Sequence, residues 1–140
     1  MYWLVKTEPE VYSFTKLLKD KRMHWDGVRN HQAKNNLKAM KKGDLVLVYH
    51  SQDPRSVVGV AEVVKEFYPD TFIKPDDPKG EWVMVDIAPV KAMTKEVTLD
   101  EIKKEKSLSQ IALVKQSRLS VMPLDKDAFL KILKMGETKL

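Results

Sequence analysis

"DLVLVYHSQDPRSVVGVAEVVKEFY", residues 44–68, sets the character of this chain: two β-prone runs, "DLVLVYH" and "SVVGVAEVVKEFY", are separated only by the turn-forming "SQDPR". Branched and aromatic side chains suit a pleated surface, while Ser, Asp and Pro between them mark a reversal. Gly59, in the middle of the second run, predicts a bulge or a close approach of another group to the backbone. Working outward, "MYWLVK" (1–6) reads as a first strand that stops at "TEPE", where Pro9 cannot continue a ladder. "WVMVDIAPVKAM" (82–93) resumes β character and "RLSVMPL" (118–124) is a last strand. Helices fall between them. Ser13 caps "FTKLLKDKR", with Phe14, Leu17 and Leu18 on one face; Asn30 caps "HQAKNNLKAMKK", which runs to Gly43. Thr98 and Glu101 form a capping box for "LDEIKKEK", and Asp125 caps "KDAFLKILKM", with Phe129, Ile132 and Leu133 inward and Gly136 as terminator. "SLSQIALVKQS" (107–117) suits a helix or a turn, and the Pro- and Asp-rich "YPDTFIKPDDPKGE" (68–81) reads as a long loop. About five strands with helices between them are too few and too irregular for a doubly wound sheet. The expectation is an α+β fold, a small mixed β-barrel with flanking short helices, in one domain over 1–140.

Composition narrows the function classes. The 140 residues are 43% apolar and 32% charged, enough for one core beneath a charged surface. No run of 18 apolar residues occurs and "MYWLVKTEPE" lacks a signal-peptide pattern, so the chain is read as cytoplasmic, without a membrane span. With no cysteine, disulfides, thiol nucleophiles and thiolate metal sites are excluded. The 25 basic and 20 acidic residues leave a net charge of +5, which favours a polyanionic partner but equally serves solubility.

Enzyme motifs are missing from the sequence. The five glycines form neither GxGxxG nor GxxxxGK, and His24, His31 and His50 lack the spacing of a zinc site. No GxSxG elbow surrounds any serine. No cofactor or metal is expected. The stretch "WDGVRNHQAKNNL" (25–37) suits a flat polar ligand better: Trp25 offers a stacking face, while Asn30, Gln32 and Asn35 or Asn36 carry donors and acceptors for a base edge. Its polar neighbours make Trp25 read as exposed, whereas Trp3 and Trp82 sit inside apolar runs and read as core, Trp82 within reach of a pocket rim.

"WLVKTEPEVYS", "WDGVRNHQAKNNL", "VYHS", "WVMVDI" and "QSRLSVMPL", in this order from Trp3 to about Leu124, resemble the EVE domain family. The resemblance implies a PUA-like fold, five to six strands in a small pseudo-barrel, related to the YTH domains that capture methylated adenine in RNA. It also implies a non-catalytic module that captures a modified, flipped-out base of DNA or RNA in an aromatic-lined pocket; the chain itself is read as a monomer. Carried over by position, the pocket comprises Lys6, Thr7 and Glu8; Trp25 as one wall; Asp26, Gly27 and Val28 through backbone groups; and Asn30 on the base edge. Tyr49, His50 and Ser51 stand at a matching strand end, Tyr68 or Trp82 supplies the second aromatic wall, and Arg118 meets a phosphate. Arg29, Lys34 and Arg118 form the basic face, with Lys34 standing where the family often has arginine and Thr7 where it often has serine. A rival reading comes from the similar ASCH branch, whose hydrolases use Lys, Thr and Glu near such a pocket. Strand alternation would let Lys6 and Glu8 share that pocket while Thr7 points away.

Overall fold

The structure, a computed structural model, describes residues 1–70 and 81–140. The quoted hairpin is its centre. Strand β3 (Leu45–His50) pairs antiparallel with β4 (Ser56–Pro69), Leu45 opposite Glu62 and His50 opposite Ser56. Val46, Leu47, Val48 and Tyr49 are all buried, because both faces of this strand are covered. The register slips on both sides of Gly59, at Val48/Tyr49 and at Val57/Gly59. The Phe14 ring lies against this glycine, and a Cβ there would sit 2.3 Å from it, so both halves of the Gly59 expectation hold.

Strand β1 (Tyr2–Thr7) lies parallel to β3 on one side and antiparallel to β6 (Val121–Leu124) on the other. β5 (Val83–Thr98) pairs antiparallel with β4. It is longer than its apolar signature, because the polar "TKEVT" continues the ladder with only Val97 inward. A strand the sequence reading missed, β2 (Met23–Trp25), joins the far side of β5 with Trp25 opposite Val85. Three residues are too few to show a period of two. The six-stranded sheet is mixed and open, in the order β2-β5-β4-β3-β1-β6. It matches the expected α+β architecture without closing into a ring.

Five short helices flank the sheet, and four caps fall on the residues expected. Ser13 accepts from Lys16 N above α1 (Phe14–Asp20), Asn30 from Ala33 N above α2 (His31–Ala39) and Asp125 from Ala128 N above α5 (Lys126–Met135). Thr98 and Glu101 complete the capping box of α3 (Leu99–Lys104). The ambiguous 107–117 segment resolves into part of a 3₁₀ turn (Lys106–Leu108) and α4 (Ala112–Lys115). Two expectations need correcting. Leu18 is 41% exposed while Phe14 and Leu17 carry the α1 face. α2 stops at Ala39, where the Met40 backbone turns extended, its N–H bonds Leu37 O and its side chain enters the core. The following turn is tied by buried Asp44, which accepts from Lys41 N at 3.0 Å and from the indole of Trp3 at 2.9 Å. Of the expected 68–81 loop, Tyr68 and Pro69 belong to β4, and residues 71–80 lie outside the described residues.

Candidate functional site

A parallel β1/β3 pair needs a crossover, and α1, β2 and α2 are all in it. The end of β1, the turn into α1 and the segment after β2 enclose a cavity of about 210 Å³. Lys6 and Thr7 line it from β1, Trp25 from the end of β2, and Asp26, Gly27, Val28 and Arg29 from the segment that follows. Half of the residues expected at the site thus meet in one space. At 210 Å³ it is smaller than the roughly 300 Å³ at which drug-sized pockets begin, a size for one heterocycle rather than a whole nucleotide. A larger hollow, 710 Å³, lies beside α5 between Tyr2, Leu130 and Leu133, and gathers none of the expected residues.

The walls follow from local structure. Trp25 ends β2 and is only 6% exposed, which corrects the exposed reading: its place opposite Val85 in the sheet buries it despite its polar neighbours in sequence. It meets Tyr12 edge to face, with centroids 6.4 Å apart and planes at 86°. Tyr12 also lines the cavity and is the second aromatic there. Burial, helped by the hydrogen bond to Asp20, pushes its hydroxyl up to about 12, so it stays a neutral donor. Beyond Trp25 the chain turns at Gly27 with φ at +81°, in the left-handed region that favours glycine. Asp70 clamps that turn, accepting from Gly27 N at 2.8 Å and from Arg29 Nη1 at 3.1 Å. Sequence reading missed both Tyr12 and Asp70. Tyr12 lies inside the quoted "WLVKTEPEVYS", whereas nothing local marks Asp70.

Polar groups differ in what they still offer. Lys6 Nζ donates to Ser117 O at 2.8 Å, and burial first, then the charge of Arg55, lowers its pKa. Asp26 brings a carboxylate to the lining. Thr7 also borders the cavity, against the expectation from alternation, because β1 ends there and the chain reverses: Glu8 O accepts from Val11 N and Tyr12 N. The Thr7 hydroxyl donates to Tyr12 O at 2.7 Å, and Glu8 is exposed outside the lining.

Other expected residues lie apart. Asn30 uses its side-chain oxygen to cap α2 and borders a shallow hollow with Gln32 and Arg118 rather than the Trp25 cavity. Asn36 donates to Val121 O, tying α2 to β6. Tyr49 and Ser51 border a third hollow, reached through Lys6. His50 accepts the Phe14 N–H at 3.1 Å, and burial lowers its pKa. Trp82 stacks on His31 at 4.9 Å, with Arg29 and Lys34 over its ring, and is not in the cavity lining. Tyr68 donates to Asp86, which also accepts from Arg22 and pairs with His24. Burial would raise the Asp86 carboxyl, but these three partners outweigh it and hold it low. Among the described residues, neither Tyr68 nor Trp82 lines the cavity that holds Trp25 and Tyr12. Among the described residues no group of three His, Asp or Glu is placed to hold a metal, and no helix is long and apolar enough to cross a membrane.

An open mixed sheet with short flanking helices and a cavity at the end of its first strand defines the PUA-like class. Residues 1–135 match the EVE domain model, and the chain belongs to that family. Mouse "Thymocyte nuclear protein 1" is 36% identical, with 99% of this chain and 74% of the relative covered. A hypothetical protein from Leishmania major superposes with a TM-score of 0.92 at 41% identity, covering 97% and 94% of the two chains. The human THYN1 protein, solved in complex with 5-methylcytosine-containing DNA, has a TM-score of 0.87 at 30% identity, covering 99% of each chain. More distantly, the YTH domain of Zygosaccharomyces rouxii MRB1 has a TM-score of 0.59 at 13% identity over 99% and 85% of the two chains, a likeness of fold alone. The cytoplasmic expectation is corrected by two of these relatives: the mouse protein is named as a nuclear protein, and human THYN1 is solved with 5-methylcytosine-containing DNA.

Proposed function

We propose that this chain is a reader module that takes a modified base, turned out of DNA or RNA, into the Trp25–Tyr12 cavity and binds it without turnover. The observation that carries this reading is the joining of two aromatics, Lys6 and Asp26 around one space of base size. A base leaving its stack needs a replacement π-face, and aromatic stacking supplies roughly 1–3 kcal/mol per base. Its edge needs partners of both kinds, and Lys6 as donor with Asp26 as acceptor serve that need better than Asn30, whose oxygen is held by its helix. The complex of human THYN1 with 5-methylcytosine-containing DNA supports the reading by family.

The hydrolase alternative needs Lys6, Thr7 and Glu8 around one substrate. Here the Thr7 hydroxyl serves Tyr12 O and Glu8 faces away from the cavity lining, which favours binding over catalysis.

Calorimetric titration tests the reading with matched oligonucleotides carrying cytosine, 5-methylcytosine, adenine or N6-methyladenine, each as DNA and RNA. Burying one methyl group gains about 0.8 kcal/mol, so a preference of roughly fourfold for one modified strand is expected. Equal affinity for every modified and unmodified pair refutes the reading.

A further inference from the structure

Two of the three cations expected to meet the nucleic-acid backbone are already paired. Arg29 is bound to Asp70 at 3.1 Å, and Lys34 lies 4.0 Å from Glu81. A cation the sequence reading passed over, Arg55, is exposed and makes no ion pair among the described residues. It borders a hollow of about 290 Å³ next to the base cavity, together with Lys6, Tyr49, Ser51 and Ser117 and with no carboxylate in the lining. Lys6 lines both spaces, so one side chain separates them. The charge of Arg55 is felt at both Lys6 and Tyr49. Two cations and three hydroxyl side chains around a space without an acid make an anion focus. Arg55 also borders a separate hollow with Asp53 and Asp100, whose carboxylates do not line this one.

We propose that the hollow between Lys6 and Arg55 seats the backbone phosphate next to the captured base. The proposal rests on the base-reading function above and names where the strand leaves the cavity. A base entering beside Trp25 is joined through its sugar to a phosphate, and the hollow shares Lys6 with the cavity, placing both parts of one nucleotide on either side of this residue. Arg55 suits a diester because its planar fork presents paired donors.

The test uses 5-methylcytosine-containing DNA in which one linkage, on either side of the modified base, is an uncharged methylphosphonate. For the wild type, one of the two neutral linkages weakens binding roughly tenfold, as expected for a charge-assisted contact. Arg55→Gln weakens binding similarly, is insensitive to that linkage, and lowers the slope of log affinity against log salt by about one. The ratio of modified to unmodified affinity stays unchanged, and so does the melting temperature, since the side chain is exposed. Inorganic phosphate at matched ionic strength displaces no oligonucleotide. If Arg55→Gln retains the linkage effect and the slope while the wild type prefers modified DNA, the phosphate seat is wrong and the reader stands. Displacement by inorganic phosphate that disappears in Arg55→Gln makes the hollow a free-phosphate site and overturns the proposal. A wild type without preference for a modified base removes the reader and this proposal together.

Discussion

The stacking role proposed for Trp25 can be separated from its part in packing the core. Its side chain is 6% exposed, so folding hides nearly all of an indole, on the order of 150–250 Å². Truncation of such a group to alanine costs about 3–5 kcal/mol, and the adjoining cavity places Trp25 near the lower end because one flank already lacks packing partners. The same residue offers the stacking face, worth roughly 1–3 kcal/mol, or about 5- to 150-fold in affinity. Trp25→Ala is therefore expected to be both destabilised and weak in binding. Trp25→Phe keeps a ring against Tyr12 and loses a smaller part of each. Ile132→Ala in α5 supplies the comparison: Ile132 is 0% exposed, does not border the cavity, and its truncation costs about 2–5 kcal/mol. Melting curves and calorimetric titrations with the preferred modified oligonucleotide, run well below all transition temperatures, separate the two contributions. Trp25→Ala and Ile132→Ala should lose similar stability, with affinity falling only in the first. If both bind like the wild type, or both weaken alike, the stacking role of Trp25 is refuted.

Two further outcomes follow from local geometry. Gly59→Ala places a methyl group 2.3 Å from the Phe14 ring, and such overpacking costs about 1–3 kcal/mol; Phe14→Leu in the same chain should recover part of that loss, and a double-mutant cycle in urea showing strict additivity contradicts the contact. His50 accepts from Phe14 N and has its pKa lowered by burial, so the fold favours the neutral ring. Its contribution is fully present above the unfolded value near 6.5 and is lost as pH falls through the lower folded value. The stability advantage of wild type over His50→Ala should therefore shrink between pH 7.5 and pH 5, and an unchanged gap in melting temperature rules this out.

Much of the fold was legible because it is local. Caps at Ser13, Asn30, Thr98 and Asp125 are set by contacts within three residues, and the hairpin is marked by residue type at its turn. The missed strand β2 is set by β5, sixty or more residues away, and has no period of its own. The site divides in the same manner. "VKT" and "WDGVR" named seven lining residues, since neighbours in sequence supply each half of the wall. The second aromatic was sought at Tyr68 or Trp82, whose chain positions look free. Tyr68 is bound to buried Asp86 on the neighbouring strand and Trp82 stacks on His31 of α2, contacts between segments far apart in sequence. Two of the residues expected on the basic face, Arg29 and Lys34, also have partners that the local sequence does not mark, Asp70 and Glu81.

The place of β1 bears on how the chain assembles. Tyr2 pairs with Leu45 on one side and with Leu124 on the other, so the first strand made is flanked by one from the middle and one near the end. During synthesis the β3–β4–β5 meander can form from near neighbours, while Trp3, Leu4 and Val5 wait for their last partner. Pairings this distant in sequence form slowly, and unpaired apolar strands are prone to associate with other chains. A nascent chain halted before Val121 holds the aromatic half of the cavity without β6, the strand that pairs with Tyr2–Val5 just ahead of Lys6, so ligand binding should arise only once residues 121–124 are in place. Ribosome-bound chains of increasing length would trace that onset as a single late step.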